Sequence, residues 1–262
     1  MSGSAITMRI EAGVAWLTLS RPEQRNAVGP DLAQSLHEFA ERCADDIAIR
    51  CVVLTGSGRF FCVGGDIDLF AGAGEDVEVM VLALAHRLHA GLLRLATMDK
   101  PLVIAVNGPA AGAGLSLAIS GDIVVAAQSA HFTAAYSAVG LTPDGGATWW
   151  LPRLIGMRRA QDMVMTNRRV SADEALAIGL VTQVVPDEDL ETTARQIAAS
   201  FAAGPVRAYA KCRALLLASA DQALAPQLEA EAASIAAACA GAEGREGVAA
   251  FAEKRSPVFS EV

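Results

Sequence analysis

The sequence predicts an α/β fold in which short apolar strands alternate with longer helical segments. Several runs rich in Val, Ile and Leu are bounded by Gly, Asp or Asn, as buried strands are. The segments between them carry helical spacing, and 262 residues with 53% hydrophobic content are enough for a large core. The strand candidates are GVAWLTLS (13–20), CVVLTGSG (51–58), PLVIAVNG (101–108), DIVVAA (122–127) and GLVTQVV (179–185).

Two of the helical segments, 31–43 and 76–97, begin at aspartates, so we predict Asp31 and Asp76 as helix caps. Beyond about Pro186 the strand-like runs cease and alanine-rich helical sequence dominates. We therefore predict a core over residues 1–190 and a helical region over 191–262. That region has few large side chains, so we expect it to pack on the core or on a neighbouring subunit.

Charge and composition exclude several classes of partner. A net charge of -8 and a pI near 5.0 argue against a nucleic-acid surface, which needs clustered Lys and Arg. The five cysteines are scattered and never form a CxxC pair, so neither a disulfide framework nor a metal site is predicted. No apolar run approaches membrane-spanning length, so we predict no membrane partner and a cytoplasmic location.

Two glycine-containing loops follow predicted strands. RFFCVGGDIDLF (59–70) contains Gly64 and Gly65, and VIAVNGPAAGAGLSLAISGD (103–122) enters a helix at about Ala113. Small residues let a ligand approach the main chain closely, and unpaired N–H groups favour negative charge. If the loops face each other, the N–H groups of Gly65 and Ala113 can both donate to one developing oxyanion.

A third stretch, GLTPDGGATWW (140–150), places the lone carboxylate of Asp144 between a proline and two glycines. Pro-Asp-Gly-Gly is common turn chemistry, so Asp144 can serve simply to shape a loop.

These stretches resemble the enoyl-CoA hydratase/isomerase family, the crotonase superfamily, over nearly the whole chain. The matching segments are SRPEQRNAV (20–28), FCVGGDIDLF (61–70), AVNGPAAGAGLSLAISGDIVVA (105–126), GLTPDGGATWWLPRLIG (140–156), EALAIGLVTQVVP (174–186) and EGVAAFAEKRSPVF (246–259). The resemblance implies a spiral of ββα repeats followed by a helical C-terminal trimerisation region, assembled as a homotrimer or a dimer of trimers. It also implies an acyl-CoA thioester substrate, with coenzyme A as part of the substrate and no separate cofactor.

By position, the resemblance assigns the thioester oxygen to the N–H groups of Gly65 and Ala113. For the coenzyme A moiety the resemblance points to residues near both ends of the chain. Two of them, Arg25 and Lys254, are cations that can pair with phosphate; the alternative is that they are solvated surface charges. The implied contacts are Arg25, Ala27, Gly64, Asp66, Ile67, Lys254 and Phe259.

The sequence departs from the hydratases at the two positions where those enzymes carry catalytic glutamates. These positions hold Ser116 and Tyr136, poor general bases that we assign to substrate binding. The family's double-bond isomerases resemble the GLxPDxG arrangement and use an acidic residue near Asp144. We therefore expect Asp144 to be the acid/base of an enoyl-CoA isomerase, buried among Leu141, Trp149 and Trp150.

Two other functions stay open. One is enoyl-CoA hydration or another crotonase-type reaction in which Asp144 acts on water. The other is an acyl-CoA-binding protein without catalytic activity, which the absence of both glutamates favours.

Overall fold

The computed structural model describes residues 4–259, whose main feature is a six-stranded sheet in the order β1-β2-β3-β4-β6-β9. β1 pairs antiparallel with β2, and every later pairing in this sheet is parallel. Parallel neighbours place the carboxyl ends of β3 and β4 at the same edge, from which the two glycine loops leave. The strands are β1 (Ile6–Glu11), β2 (Val14–Leu19), β3 (Cys51–Gly56), β4 (Leu102–Val106), β6 (Ile123–Ala127) and β9 (Gln183–Val185).

A second, three-stranded sheet lies at that edge, in the order β5-β7-β8. It is built from β5 (Ala110–Ala111), β7 (His131–Thr133) and β8 (Val170–Ser171), with β5 parallel to β7. An isolated parallel bridge between Cys62 and Ala110 joins the first glycine loop to this sheet. The two loops are therefore held together by main-chain pairing.

Helices cover both faces of the main sheet. The larger core lies between one face and α1, α3 and α4, while the other face is covered by α8 through Leu190, Ala194 and Ala198. The helices are α1 (Pro30–Asp45), α2 (Ile67–Gly72), α3 (Val77–Thr97), α4 (Ala113–Ala118), α5 (Ala147–Ile155), α6 (Met157–Thr166), α7 (Ala172–Ala177), α8 (Leu190–Ala203), α9 (Val206–Ser219), α10 (Leu224–Ala240) and α11 (Ala242–Glu253).

All five predicted strands are present, but β1 was not predicted. Its sequence, ITMRIE, buries only Ile6 fully and leaves polar side chains exposed, as an edge strand does. The prediction of Asp31 as a cap was wrong, because α1 begins at Pro30 after Gly29, and Asp31 pairs with Arg21 instead. Asp76 does precede α3, but its side chain makes no capping hydrogen bond.

The helical stretch from Gly74 to Thr97 is long and apolar enough by composition to cross a membrane. It packs heavily on α1, with Leu84, Leu88, Leu92 and Leu95 buried in the larger core. A helix of this kind passes the same test when it belongs to the core of a folded domain, and the packing on α1 favours that interpretation.

The predicted division near residue 190 stays a prediction. α8 lies beyond it in sequence, yet it packs on β2, β3, β4 and β6 of the main sheet. α9, α10 and α11 pack mainly on one another, and α10 buries only Gln227.

Candidate active site

A cavity of about 580 Å³ lies between the two glycine loops, α3 and the loop that carries Asp144. Most of its lining is apolar, which is typical of a small-molecule site with a few directing polar groups. α3 supplies one wall and the glycine loops supply the facing wall. The lining residues are Val28, Val63, Gly64, Gly65, Ile67, Phe70, Glu78, Val81, Leu82, Leu84, Ala85, Leu88, Gly112, Ala113, Ala135, Tyr136, Val139, Leu141, Thr142, Pro143 and Asp144.

The two facing loops approach each other closely at Gly64 and Gly112. Gly64 has a φ of +100°, and a Cβ at this position would lie 2.9 Å from the carbonyl oxygen of Ala111. A Cβ on Gly112, whose φ is +54°, would lie 3.4 Å from the Cα of Gly64. A side chain at Gly64 would push the loops apart, so both conformation and space favour glycine there, whereas at Gly112 the positive φ alone favours glycine.

Two main-chain N–H groups are left free at this contact. Within the range 4–259, no protein acceptor is found for the N–H of Gly65 or of Ala113, and both residues line the cavity. Ala113 is the first residue of α4, so its N–H has no partner inside the helix. The structure thus brings together the two donors predicted for an oxyanion, although sequence could not show that the loops meet.

The first loop is supported from beneath by Asn26. This residue is fully buried, and its side-chain amide donates to the carbonyl oxygens of Ser57, Phe60 and Phe61 at 3.0, 2.8 and 3.1 Å. Asn26 lies in the quoted SRPEQRNAV segment, but the sequence interpretation gave it no role. In the sequence Asn26 stands among polar turn residues, and nothing in that pattern shows that its side chain binds carbonyl groups more than 30 residues away.

Asp66 and Ile67 follow the first loop. The Asp66 side chain caps α2 by accepting from the N–H of Leu69 at 3.2 Å, and Ile67 is half exposed at the cavity wall. Asp66 is therefore engaged in capping, and the contact of both residues with adenine or pantetheine stays a prediction.

Asp144 lines the cavity and is half-buried. The phenolic O–H of Tyr136 donates to its Oδ1 at 2.6 Å, and the hydroxyl of Ser116 donates to its carbonyl oxygen at 2.8 Å. The next residue, Gly145, is buried and donates its N–H to Nε2 of His89 at 2.9 Å. Three side chains from separate parts of the sequence therefore hold Asp144 and its neighbour.

The phenol of Tyr136 stays protonated in this position. Burial, reinforced by the negative charge of Asp144 beside it, raises the pKa of Tyr136 well above its ordinary value. Tyr136 is accordingly a hydrogen-bond donor to the carboxylate and not a base. The thiol of Cys62, behind the first loop, is also inert, since burial raises its pKa to about 12.

Two expectations about the Asp144 loop were wrong. Ser116 is fully buried and does not line the cavity, so in this structure it contacts the loop and not the space for a ligand. Neither Trp149 nor Trp150 lines the cavity; Trp149 packs under the guanidinium of Arg153, and Trp150 packs against the core from α5. Both tryptophans point away because they lie on a helix that starts at Ala147.

The residues assigned to coenzyme A are not all brought together. Arg25 is exposed near Phe60, with its guanidinium carbon 5.8 Å from the ring centroid, and Ala27 is half-buried just before Val28 of the cavity wall. Phe259 lies in a separate cavity with residues of α9, α10 and α11, and its carbonyl oxygen accepts from Arg50.

Arg50 precedes β3, whereas the glycine loops follow it, so Phe259 lies at the opposite end of that strand. Lys254 ends α11 in the left-handed conformation and is exposed, and it does not line the cavity either. Within one chain, Lys254 and Phe259 therefore do not reach the predicted site. The sequence could not show this, because the fold decides which ends of the strands meet.

Sequence reasoning also missed Glu78 and His89. Glu78, in the first turn of α3, and Asp144 are the two carboxylates among the described residues that line the cavity. His89 lies on α3, and no local pattern in the sequence tied it to the Asp144 loop. Across residues 4–259 there is no cluster of His, Cys, Asp and Glu suited to a metal ion.

Comparison with known proteins identifies the family. A family model described as enoyl-CoA hydratase/isomerase matches residues 9–262. The chain is 40% identical to the 1,2-epoxyphenylacetyl-CoA isomerase of Escherichia coli K12, covering 97% of this chain and 98% of the relative. It is also 40% identical to a Rhodobacter capsulatus protein named "Probable enoyl-CoA hydratase", covering 99% of each.

Solved structures agree with the fold. The crystal structure of an enoyl-CoA hydratase from Polaromonas sp. JS666 matches with a TM-score of 0.92 and 35% identity, covering 96% of this chain and 98% of that one. The predicted crotonase-like fold with a helical C-terminal region is confirmed by this match and by the helices that end the chain. The chain belongs to the enoyl-CoA hydratase/isomerase family, the crotonase superfamily, whose members act on acyl-CoA thioesters.

Proposed function

We propose that the protein is an enoyl-CoA isomerase in which Asp144 moves the proton and the N–H groups of Gly65 and Ala113 stabilise the enolate. The observation that carries the proposal is the arrangement around the carboxylate. Asp144 lines the cavity that holds both free N–H groups, and the phenol of Tyr136 fixes one of its oxygens. The other oxygen is left for proton transfer.

The reaction needs one base and one oxyanion site. The thioester oxygen of a 3-enoyl ester accepts from Gly65 and Ala113, which makes the proton on C2 more acidic. Asp144 removes that proton, and the electrons of the broken C2–H bond form a C1=C2 enolate whose charge rests on the thioester oxygen. The carbonyl then re-forms, the C1=C2 electrons become the C2=C3 bond, and the electrons of the former C3=C4 bond take up a proton at C4. Asp144 returns the same proton, so no water, cofactor or redox partner is consumed.

Hydration is a second candidate, because several relatives carry hydratase names. The structure offers less for it. At the two positions where hydratases carry glutamates, Ser116 is buried against the carbonyl of Asp144 and Tyr136 donates to its carboxylate. Both hydroxyls are engaged in holding Asp144, so activation of water falls to that one carboxylate, which would also have to deliver the second proton.

The test is to incubate the purified protein with 3-enoyl-CoA and 2-enoyl-CoA esters and to follow products by ultraviolet absorbance and mass. We expect a conjugated product of unchanged mass from the 3-enoyl ester. Asp144→Asn should lower kcat by about 10²- to 10⁴-fold, because a general base is lost while size is kept. Glu78→Gln removes the other cavity carboxylate and should leave kcat within about threefold.

A gain of one water in mass would establish hydration instead. Tight binding of the esters with no turnover would establish a binding protein. An unchanged kcat in Asp144→Asn would return Asp144 to the role of a turn residue.

We propose further that the chain self-associates through its C-terminal helices. α9, α10 and α11 expose large apolar side chains that the chain itself does not cover, and such patches mark interaction sites. They are Leu216, Leu224, Leu228, Ile235, Val248 and Phe251. Sedimentation of the wild type should give the mass of a trimer or of a dimer of trimers, and a monomer at micromolar concentration would contradict this.

A further inference from the structure

We propose that His89 is a positioning residue for proton transfer, because it fixes the segment after Asp144 by accepting the N–H of Gly145. The inference deepens the proposed function and rests on it. The contact joins α3, which forms the apolar wall of the cavity, to the loop that carries the carboxylate.

Gly145 is confined on two sides. Its φ is +61°, and a Cβ there would lie 2.7 Å from the Cβ of Ser116 on α4 and 3.4 Å from Leu92 on α3. The residue is buried, so its N–H is out of reach of solvent and needs an acceptor within the protein. Nε2 of His89, at 2.9 Å, is that acceptor.

The hydrogen bond also fixes the chemical state of the imidazole. Nε2 must carry a lone pair to accept an N–H, so the proton of the neutral ring is on Nδ1. A side chain that lacks an acceptor at the position of Nε2 cannot replace it.

The bond acts on Asp144 through one peptide unit. The Ser116 hydroxyl holds the carbonyl of Asp144 and His89 holds the N–H of Gly145, which are the two polar groups of the same peptide plane. With both ends held, rotation of this plane is restrained, which fixes the point from which the Asp144 side chain leaves the main chain. The phenol of Tyr136 then selects which carboxylate oxygen is free.

The variants that test this follow from the shape of histidine. Glutamine places its side-chain oxygen near the position of Nε2, whereas asparagine reaches only as far as Nδ1. We expect His89→Leu and His89→Asn to lower kcat by about 10- to 100-fold with little change in KM, because a reacting group displaced by about 1 Å can cost that much. His89→Gln should recover most of the rate.

His86 provides the matched control: both histidines are exposed on α3, His86 lies one turn earlier, and no hydrogen bond of its side chain is found among the described residues, whereas His89 accepts from Gly145. His86→Asn should behave as wild type in every assay. Loss of helix stability would affect both positions alike, whereas loss of the contact affects only His89.

A second measurement does not depend on the reaction. Hydrogen–deuterium exchange resolved to single residues should show a protected Gly145 amide in wild type and in His89→Gln, and an amide that exchanges at least tenfold faster in His89→Leu and His89→Asn. If the wild type turns over no enoyl ester, the proposed function fails while this exchange pattern still supports His89 as the residue that holds Gly145.

Two results would overturn the inference. One is an amide of Gly145 that exchanges equally in wild type and His89→Leu. The other is a kcat that is the same for the Leu, Asn and Gln variants, since a role in positioning requires the acceptor to matter.

Discussion

Two sides of one cavity are built in different ways. The oxyanion side is made of main chain, with Gly64 and Gly112 in contact and the N–H groups of Gly65 and Ala113 free. The acid side depends on one side chain, Asp144, which lies on a half-buried loop held by Tyr136, Ser116 and His89.

The difference shows how each part is encoded. Main-chain donors need only small residues at the contact, so a local glycine pattern specifies them. A catalytic side chain must be aimed, and the residues that aim Asp144 come from α3, α4 and the segment after β7. The first kind of site should fail when bulk is added, and the second when a hydrogen bond is removed.

Among changes that keep Asp144 in place, adding bulk to the oxyanion side should have the largest effect. In Gly64→Ala, the new Cβ meets the Ala111 oxygen at 2.9 Å and the φ of +100° is strained. We expect kcat to fall by about 10²- to 10³-fold, the usual loss for one oxyanion donor, together with about 1–3 kcal/mol of stability. Steady-state kinetics and urea unfolding measure the two losses.

Gly74→Ala is the control for backbone strain alone. Gly74 also has a positive φ, +58°, but nothing lies within 4 Å of its Cβ position. It should lose stability to a similar strain while keeping kcat. Equal kcat in both variants would show that Gly64 does not shape the donor site.

Removing one hydrogen bond from the acid side, around Asp144, should have a smaller effect. Tyr136→Phe keeps the ring and removes the donor to Asp144, so we expect kcat to fall by about tenfold, in line with the loss of a hydrogen bond to a charged group. The thermal stability near neutral pH should change less than in Gly64→Ala. A kcat equal to that of the wild type would show that the phenol does not orient the carboxylate.

Tyr136 also predicts a pH dependence of stability. Its pKa is raised by folding, so above about pH 10 the unfolded chain loses the phenolic proton while the folded chain keeps it, and stability falls as pH rises. By pH 11 the loss of unfolding free energy from this one group should amount to about 1 kcal/mol. Urea unfolding near neutral pH and at pH 11 should show a smaller loss of unfolding free energy in Tyr136→Phe than in the wild type. An equal loss would contradict the burial of the phenol.

The smallest effect is expected at the outer rim. If Arg25 pairs with phosphate of the coenzyme A moiety, Arg25→Gln should raise KM by about three- to tenfold without changing kcat, and added salt should reduce the difference. Arg59 is the matched control, since its guanidinium carbon lies at the same 5.8 Å from the ring of Phe60. A similar rise in Arg59→Gln would indicate a general effect of charge and not a contact of Arg25.

Much of the architecture followed from the sequence by itself. Apolar runs predicted β2, β3, β4, β6 and β9, because buried parallel strands are apolar on both faces, as the four inner ones are. The start of α4 at Ala113 was predicted from small residues after a strand. Gly65, Ala113 and Asp144 could be nominated because each stands in a local pattern with a chemical meaning. The polar edge strand β1 could not, since an exposed face dilutes the apolar signal.

Only the tertiary structure decided which of these residues meet. Tyr136 and Ser116 had looked like substitutes for absent glutamates, yet both hold Asp144, and His89 had no local signal that tied it to Gly145. Lys254 and Phe259 match a family pattern but lie apart from the cavity within the chain. Local sequence sets conformation and chemical type, whereas the distance between residues far apart in the chain depends on how helices pack on the sheet.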